Sequence, residues 1–341
     1  MKHWHTDLKK IYLTEVINQS FVQSKTKPKV LLITLKGMWD IKESDLLPLR
    51  QIAEVDYVQV DKMTEEQLAA RCSNYDYLML NMDFLPFPDP NNMSKLTKKF
   101  YDNPGVQNLK GINVDMTDAD FFSPSIARQK RVIIQVTPNA VTRSVAESAV
   151  CEILLHAKGR HISYTQDKNC TKGINLQGKT AGIIGKGNIG SAVGKILEGM
   201  GMNVLYNDIQ SKGQNTPIEK IFQDAQVISI HIPAIQIRTN KSNEGFIGSK
   251  LLNLCKGTIL INLATDIIVD NEALRNAIRT KKIIGYSVER GRKLNENLEK
   301  IPQVHISPCS FDSDESRRNI LRIWIQNMIT AVQGNPQNQW N

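Results

Sequence analysis

Residues Gly178–Asp208 read GKTAGIIGKGNIGSAVGKILEGMGMNVLYND, and the fold follows from this stretch. The apolar run Thr180–Ile184 predicts a buried strand. Gly185, Gly187 and Gly190 follow it as G-x-G-x-x-G. The spacing then predicts an amphipathic helix from about Ile189 to Met200 and a second strand over Asn203–Tyr206. Strand, glycine turn, helix and second strand, in that order, form the context in which this motif holds a dinucleotide. Gly185 suits the tight turn, Gly187 the close approach of a pyrophosphate, and Gly190 the packing of helix on strand. Asn188 and Ile189 open the helix, whose free N–H groups face the phosphates. Asp208 closes the unit. A carboxylate there binds a ribose 2′-hydroxyl and repels a 2′-phosphate, which favours NAD over NADP.

Outward from the motif, strands and helices alternate. Strands are expected at Lys29–Leu35, Val55–Val60, Tyr77–Asn81 and Val132–Val136. After the motif they are expected at Val227–Ile230, Thr258–Ile261, Ile283–Val288 and Val304–Ile306. Helices are expected around Leu46–Ala53, at Thr64–Cys72 with Thr64 and Gln67 as a capping box, at Ser144–Gly159 and at Glu315–Val332. Asp83–Asn92 reads as a loop and Gly334–Asn341 as a polar tail. Such alternation predicts α/β architecture with parallel sheets covered on both faces.

Composition narrows the function. The chain has 341 residues, enough for two domains, and 41% of them are apolar. No apolar run approaches the roughly 20 residues that span a bilayer. The segment Met1–Lys29 is polar and lacks the apolar stretch of a signal peptide. Five scattered cysteines without C-x-x-C spacing fit a reducing compartment and neither zinc nor disulfides, so a cytoplasmic protein without a metal is expected. A net charge of +9, from 43 basic and 34 acidic residues, suits nucleotides or acidic metabolites. Without interleaved aromatics it does not predict nucleic-acid binding.

Further segments complete a likeness. Pro138–Glu152 reads PNAVTRSVAESAVCE, residues 231–233 read HIP, Leu251–Ala264 reads LLNLCKGTILINLA, and Asp270–Leu274 reads DNEAL. Together with the glycine motif they resemble the D-2-hydroxyacid dehydrogenase family over about Lys29–Val332. The resemblance implies two Rossmann-like or flavodoxin-like doubly wound parallel-sheet domains with a cleft between them. Residues 1–143 plus 309–341 would form the substrate domain and 144–308 the NAD domain. It also implies a homodimer, a small-molecule substrate, and a cofactor edge made by His231, Pro233, Asn262 and Ala264.

The same resemblance exposes a departure. The family carries an arginine in an N-x-A-R-G type motif, a glutamate, and a histidine in a T-P-H type motif. Here Thr265, Arg292 and Cys309 stand at or beside those positions, and Asp266 replaces the glycine. The substrate-loop motif is also altered, to Thr117-Asp118-Ala119-Asp120. Threonine supplies no fork of donors, and cysteine, with a free pKa of about 8.5, is a poorer proton carrier at neutral pH. Cys309 reads either as an acid, nucleophile or redox thiol, or as a small buried filler. Arg292 reads as an anchor for an anionic substrate, as a neighbour that tunes Cys309, or as part of a solvated turn. Asp266 reads as a partner for a cation or as a cap. Two functions stay open: an NAD-dependent oxidoreductase with a remodelled pocket, and an NAD-binding protein without turnover that senses or binds partners.

Overall fold

The structure is a computed structural model that describes residues 26–81, 85, 95–117, 119–159, 173–209, 215–234, 242–289, 298, 300–308 and 310–340. Arg292, Cys309, Asp118 and, apart from Leu85, the loop expected over 83–92 lie outside the described residues.

In chain order the first body comprises β1 (Lys29–Leu35), α1 (Glu43–Arg50), β2 (Glu54–Val60), α2 (Glu65–Arg71), β3 (Tyr77–Leu80), α3 (Lys98–Tyr101), β4 (Gly111–Val114), α4 (Pro124–Gln129) and β5 (Ile133–Gln135). A long helix, α5 (Thr142–Ala157), leads to β6 (Thr180–Ile184), α6 (Asn188–Gly199), β7 (Asn203–Asn207), α7 (Ile218–Asp224) and β8 (Val227–Ile230). There follow α8 (Ser249–Leu252), β9 (Thr258–Asn262), α9 (Asn271–Arg279), β10 (Ile283–Glu289), β11 (Val304–Ser307) and α10 (Asp314–Val332). The strands pair as two wholly parallel sheets, β2-β1-β3-β4-β5 and β11-β10-β9-β8-β6-β7. Each sheet has an apolar cluster on both faces, the arrangement that continuous Val/Ile/Leu runs such as VLLIT and VISI demand.

In both sheets the order reverses between the first and third strands. At such a switch point the loops diverge to opposite faces and leave a crevice at the carboxyl ends. For the second sheet this places the Gly185–Gly190 turn, after β6, beside His231, after β8.

The helix α10 returns to the first sheet and is locked there by reciprocal bonds. Asn113 Nδ2 donates to the carbonyl of Trp324 at 2.6 Å, and Trp324 Nε1 donates to the carbonyl of Asn113 at 2.8 Å. Both residues are fully buried, and Trp324 also packs against Trp39, with ring centroids 5.9 Å apart.

Two expectations are corrected. The first helix begins at Glu43 and ends at Arg50 rather than covering Leu46–Ala53, because residues 51–53 turn directly into β2. The C-terminal stretch is not a free tail. Val136 N–H donates to the Asn338 carbonyl (3.0 Å), Trp340 N–H donates to the Ile134 carbonyl (2.8 Å), and Gln135 Nε2 donates to the Gln337 carbonyl (2.7 Å). The unpaired edge of β5 offers main-chain groups that need partners, and residues 337–340 supply them.

On α5, polar residues recur every four positions and face the chain's second crossing between the sheets. Ser144 Oγ lies 2.8 Å from Ser313 Oγ and 2.7 Å from Ser316 Oγ, and Ser148 Oγ donates to the Ser310 carbonyl. Glu152 accepts from Ser287 Oγ (2.6 Å) and pairs with His305 Nδ1 (2.8 Å), while His156 Nε2 lies 2.8 Å from Ser287 Oγ. His305 is therefore a satisfied strand histidine.

Trp324→Phe removes the indole donor that ties α10 to the Asn113 carbonyl, and loss of this buried hydrogen bond costs about 0.5–1.5 kcal/mol. Urea unfolding followed by circular dichroism should show a loss in that range, and an unchanged midpoint would refute the lock.

Candidate functional site

The turn after β6 is built by steric necessity. Gly185 has φ +97°, and a side chain there would meet the carbonyl of His231. A side chain on Gly190 would run into the carbonyl of Gly185. Helix α6 can lie this close to β6 only with glycine at both positions. Gly187 differs: nothing lies within 4 Å of where its Cβ would stand, and its backbone is exposed. It caps α6 in an extended conformation, and no side chain accepts from the first turn's N–H groups. Those groups and the helix dipole favour an anion at this point.

The turn is also held from the β7 side. Gly185 N–H donates to the Asn207 carbonyl (2.8 Å) and Lys186 N–H to Asp208 Oδ2 (2.7 Å). Lys186 Nζ sits 4.5 Å from the centre of the Tyr206 ring. Asp208 thus stands next to the glycine turn, one residue beyond β7.

A cleft of about 510 Å³ opens over this turn. The second sheet contributes Gly187–Gly190, His231–Ala234, Leu263–Thr265, Glu289 and Ser310. The first body contributes Met116, Thr117, Phe121, Pro138, Asn139 and the start of α5. Phe311 and Trp340 close it at the chain's return. Of the expected site residues, Gly187, Asn188, Ile189, Gly190, His231, Pro233, Ala264 and Thr265 all line this one cleft. Ile189 packs on apolar clusters of both bodies.

Asn262 works from behind. It is wholly buried, its Nδ2 donates to the Thr265 carbonyl (2.8 Å), and its Oδ1 accepts from Ala264 N–H (3.3 Å). Its task here is to shape the loop that presents Ala264 and Thr265. Asp266 is buried and starts the 3-10 turn Asp266–Ile268. Arg143 and Glu147 pair with each other on the exposed face of α5.

His231 is held neutral. Burial drives its imidazole pKa from 6.5 down to about 4, and its Nε2 lies 2.8 Å from Ser229 Oγ. The carboxylate that sequence reasoning missed is Glu289, at the end of β10. Its Oε2 accepts from the N–H (3.3 Å) and the hydroxyl (2.5 Å) of Ser310. The signal was its place as the last residue of an apolar strand, where α/β sheets carry their chemistry.

The residues present fit a dinucleotide on one structural observation, the unfilled space over Gly187 at a helix start that no side chain caps. The comparisons agree. Residues 152–309 match the sequence model for the D-isomer specific 2-hydroxyacid dehydrogenase, NAD binding domain. D-3-phosphoglycerate dehydrogenase of Haemophilus influenzae is 31% identical over 175 residues, 48% of this chain and 42% of the relative. Glyoxylate reductase of Thermofilum pendens is 27% identical over 253 residues, 67% of this chain and 73% of the relative. The chain thus spans less than half the length of the former. Among solved structures, an acyclic imino acid reductase in complex with NADPH and D-Arg superimposes with TM-score 0.77 at 19% identity, covering 91% of this chain and 99% of that one. The NAD+-bound 3-phosphoglycerate dehydrogenase of Entamoeba histolytica gives 0.73 at 23%, covering 93% and 99%. These two structures share the fold. Among the described residues no helix is long and apolar enough to cross a membrane.

Two outcomes are expected. Gly187→Ala should leave the melting temperature within about 2 °C and weaken NADH binding at least about tenfold, whereas Gly190→Ala should cost about 2 kcal/mol or more of stability. Thermal melts and fluorescence titration separate the two. The depressed pKa of His231 means that below pH 6.5 the unfolded chain takes up a proton that the folded one refuses, until about pH 4. Stability at pH 4.5 relative to pH 7 should therefore fall by about 2 kcal/mol more in the parent than in His231→Asn, with no difference above pH 7.

Proposed function

We propose that the chain is a member of the D-isomer specific 2-hydroxyacid dehydrogenase family, whose NAD binding domain model its residues 152–309 match, and an NAD-dependent oxidoreductase whose substrate pocket departs from that of a 2-keto acid reductase. The observation that carries this reading is the cleft itself. Its floor is an open glycine turn suited to a pyrophosphate, and the same sheet presents Thr265 where the family carries arginine. Bound NADH would supply a hydride from its nicotinamide. The protein's own part is to seat the phosphates on the start of α6, to direct Asp208 at a ribose, and to hold Ala264 and Thr265 toward the reacting group through Asn262. Desolvation keeps His231 neutral, so this residue adds no positive charge to the cleft. Arg292 and Cys309 complete the proposed catalytic set.

We take residues 144–308 as the cofactor domain, 1–143 with 309–341 as the substrate domain, and the working form as a cytoplasmic homodimer. A second reading, an NAD-holding protein without turnover, draws on the same Thr265.

Calorimetry should detect NADH binding, with Asp208→Ala narrowing the preference for NADH over NADPH. Pyruvate should be reduced poorly by the parent. The triple change Thr265→Arg, Arg292→Glu and Cys309→His should raise that rate on the order of 100-fold or more, the worth of a positioned acid–base group. Absence of any heat with NAD or NADH ends the reading. Tight NADH binding whose absorbance never changes with carbonyl or imine compounds favours the silent form.

A further inference from the structure

Among the described residues lining the cleft, two side chains ionise, His231 and Glu289. His231 is neutral at pH 7, so among the described residues the charge on these walls is the Glu289 carboxylate. That carboxylate is seated rather than loose. Ser310 is 6% exposed and gives both its N–H and its hydroxyl to Oε2. Oε1 keeps no hydrogen-bond partner among the described residues. A half-buried carboxylate with one oxygen committed and the other bare suits a positively charged or proton-bearing ligand.

The chemistry sharpens this. Hydride addition to a ketone leaves an alkoxide, so a proton donor must stand beside the oxygen. A carboxylate that accepts two hydrogen bonds is placed as an acceptor. Hydride addition to an iminium ion needs no such donor. The hydride pair enters the C=N carbon, the π pair returns to nitrogen, and a neutral amine results. NADH is oxidised to NAD+, and no proton changes hands with the protein.

We infer that the cleft takes a substrate whose reacting group is a cation, an iminium on the oxidised side and, once the released amine has taken a proton from water, an ammonium on the reduced side, with Glu289, positioned by Ser310, as its counter-ion. The inference rests on the oxidoreductase reading above and narrows its substrate class. Glu289 touches the substrate, and Ser310 acts through Glu289.

The test uses the full chain. Calorimetry of the NAD-saturated protein with 2-methylpyrrolidine, and separately with lactate, reads binding without turnover. The amine should bind and lactate should not. Glu289→Gln should weaken the amine on the order of 100-fold, as loss of one partner of a buried ion pair does, with NAD affinity unchanged. Ser310→Ala should weaken it on the order of tenfold, and circular dichroism checks that both variants fold. NADH oxidation should be faster with 2-methyl-1-pyrroline than with cyclopentanone, and should fall as pH rises past the imine's own pKa. Lactate binding as tightly as the amine, amine binding indifferent to Glu289→Gln, equal rates with the ketone, or NAD binding without amine binding each overturn this inference alone. Failure to bind NAD overturns the oxidoreductase reading and this inference with it.

Discussion

One close contact organises the molecule: the carbonyl of Gly185 occupies the place where residue 190 would carry a side chain. That contact lets α6 descend directly onto β6, aims its first N–H groups at the crevice, and brings Ile189 against both apolar bodies. Gly185 in turn needs φ +97° because the His231 carbonyl presses on it from β8. The glycine turn, the switch point of the sheet and the cleft wall are thus consequences of one packing constraint. A methyl group at either glycine forces the backbone apart before any ligand is considered.

The strands that carry this constraint could be read from the chain because each is a short stretch rich in β-branched residues or leucine and free of charge in its interior. Lys29–Leu35, Thr180–Ile184 and Val227–Ile230 were legible to the residue. β4, Gly111–Val114, was not. It is four residues long, and glycine and asparagine have little preference for a strand. It is nevertheless fully buried, and Asn113 Nδ2 finds its acceptor on Trp324, more than 200 residues away. Local pattern holds no trace of such a partner. The docking of residues 337–340 on β5 escaped notice for the same reason: Gln, Asn and Pro read as solvated until the bare sheet edge beside them is seen.

The site divides along a similar line. The proposed cofactor positions Gly185, Gly187, Asn188, Ile189, Gly190 and Asp208 belong to one contiguous unit whose glycines Gly185 and Gly190 have steric roles, so they could be proposed from the chain alone. Asn262 was recognised by resemblance, but its work on Ala264 and Thr265 shows only in three dimensions. Glu289 and Ser310 are 21 residues apart and meet across the ends of β10 and β11. In this region the family resemblance points to a glutamate and a histidine, whose positions fall at or beside Arg292 and Cys309, whereas the Glu289 carboxylate and the Ser310 hydroxyl follow no such pattern.

The hydroxyl ladder on α5 bears on how the two bodies move. The polypeptide crosses outward at the start of that helix and back again just before α10, and Ser144 touches Ser313 and Ser316 across the gap. Two tethers lying side by side resist twist and shear and leave a single easy bend about the line joining them. Any opening of the cleft would thereby be confined to one angle. The serines meet through hydroxyls at this pivot, while Val141 and Val145 beside them pack with Ile320 and Trp324 of α10, so the two tethers share a polar seam and an apolar one.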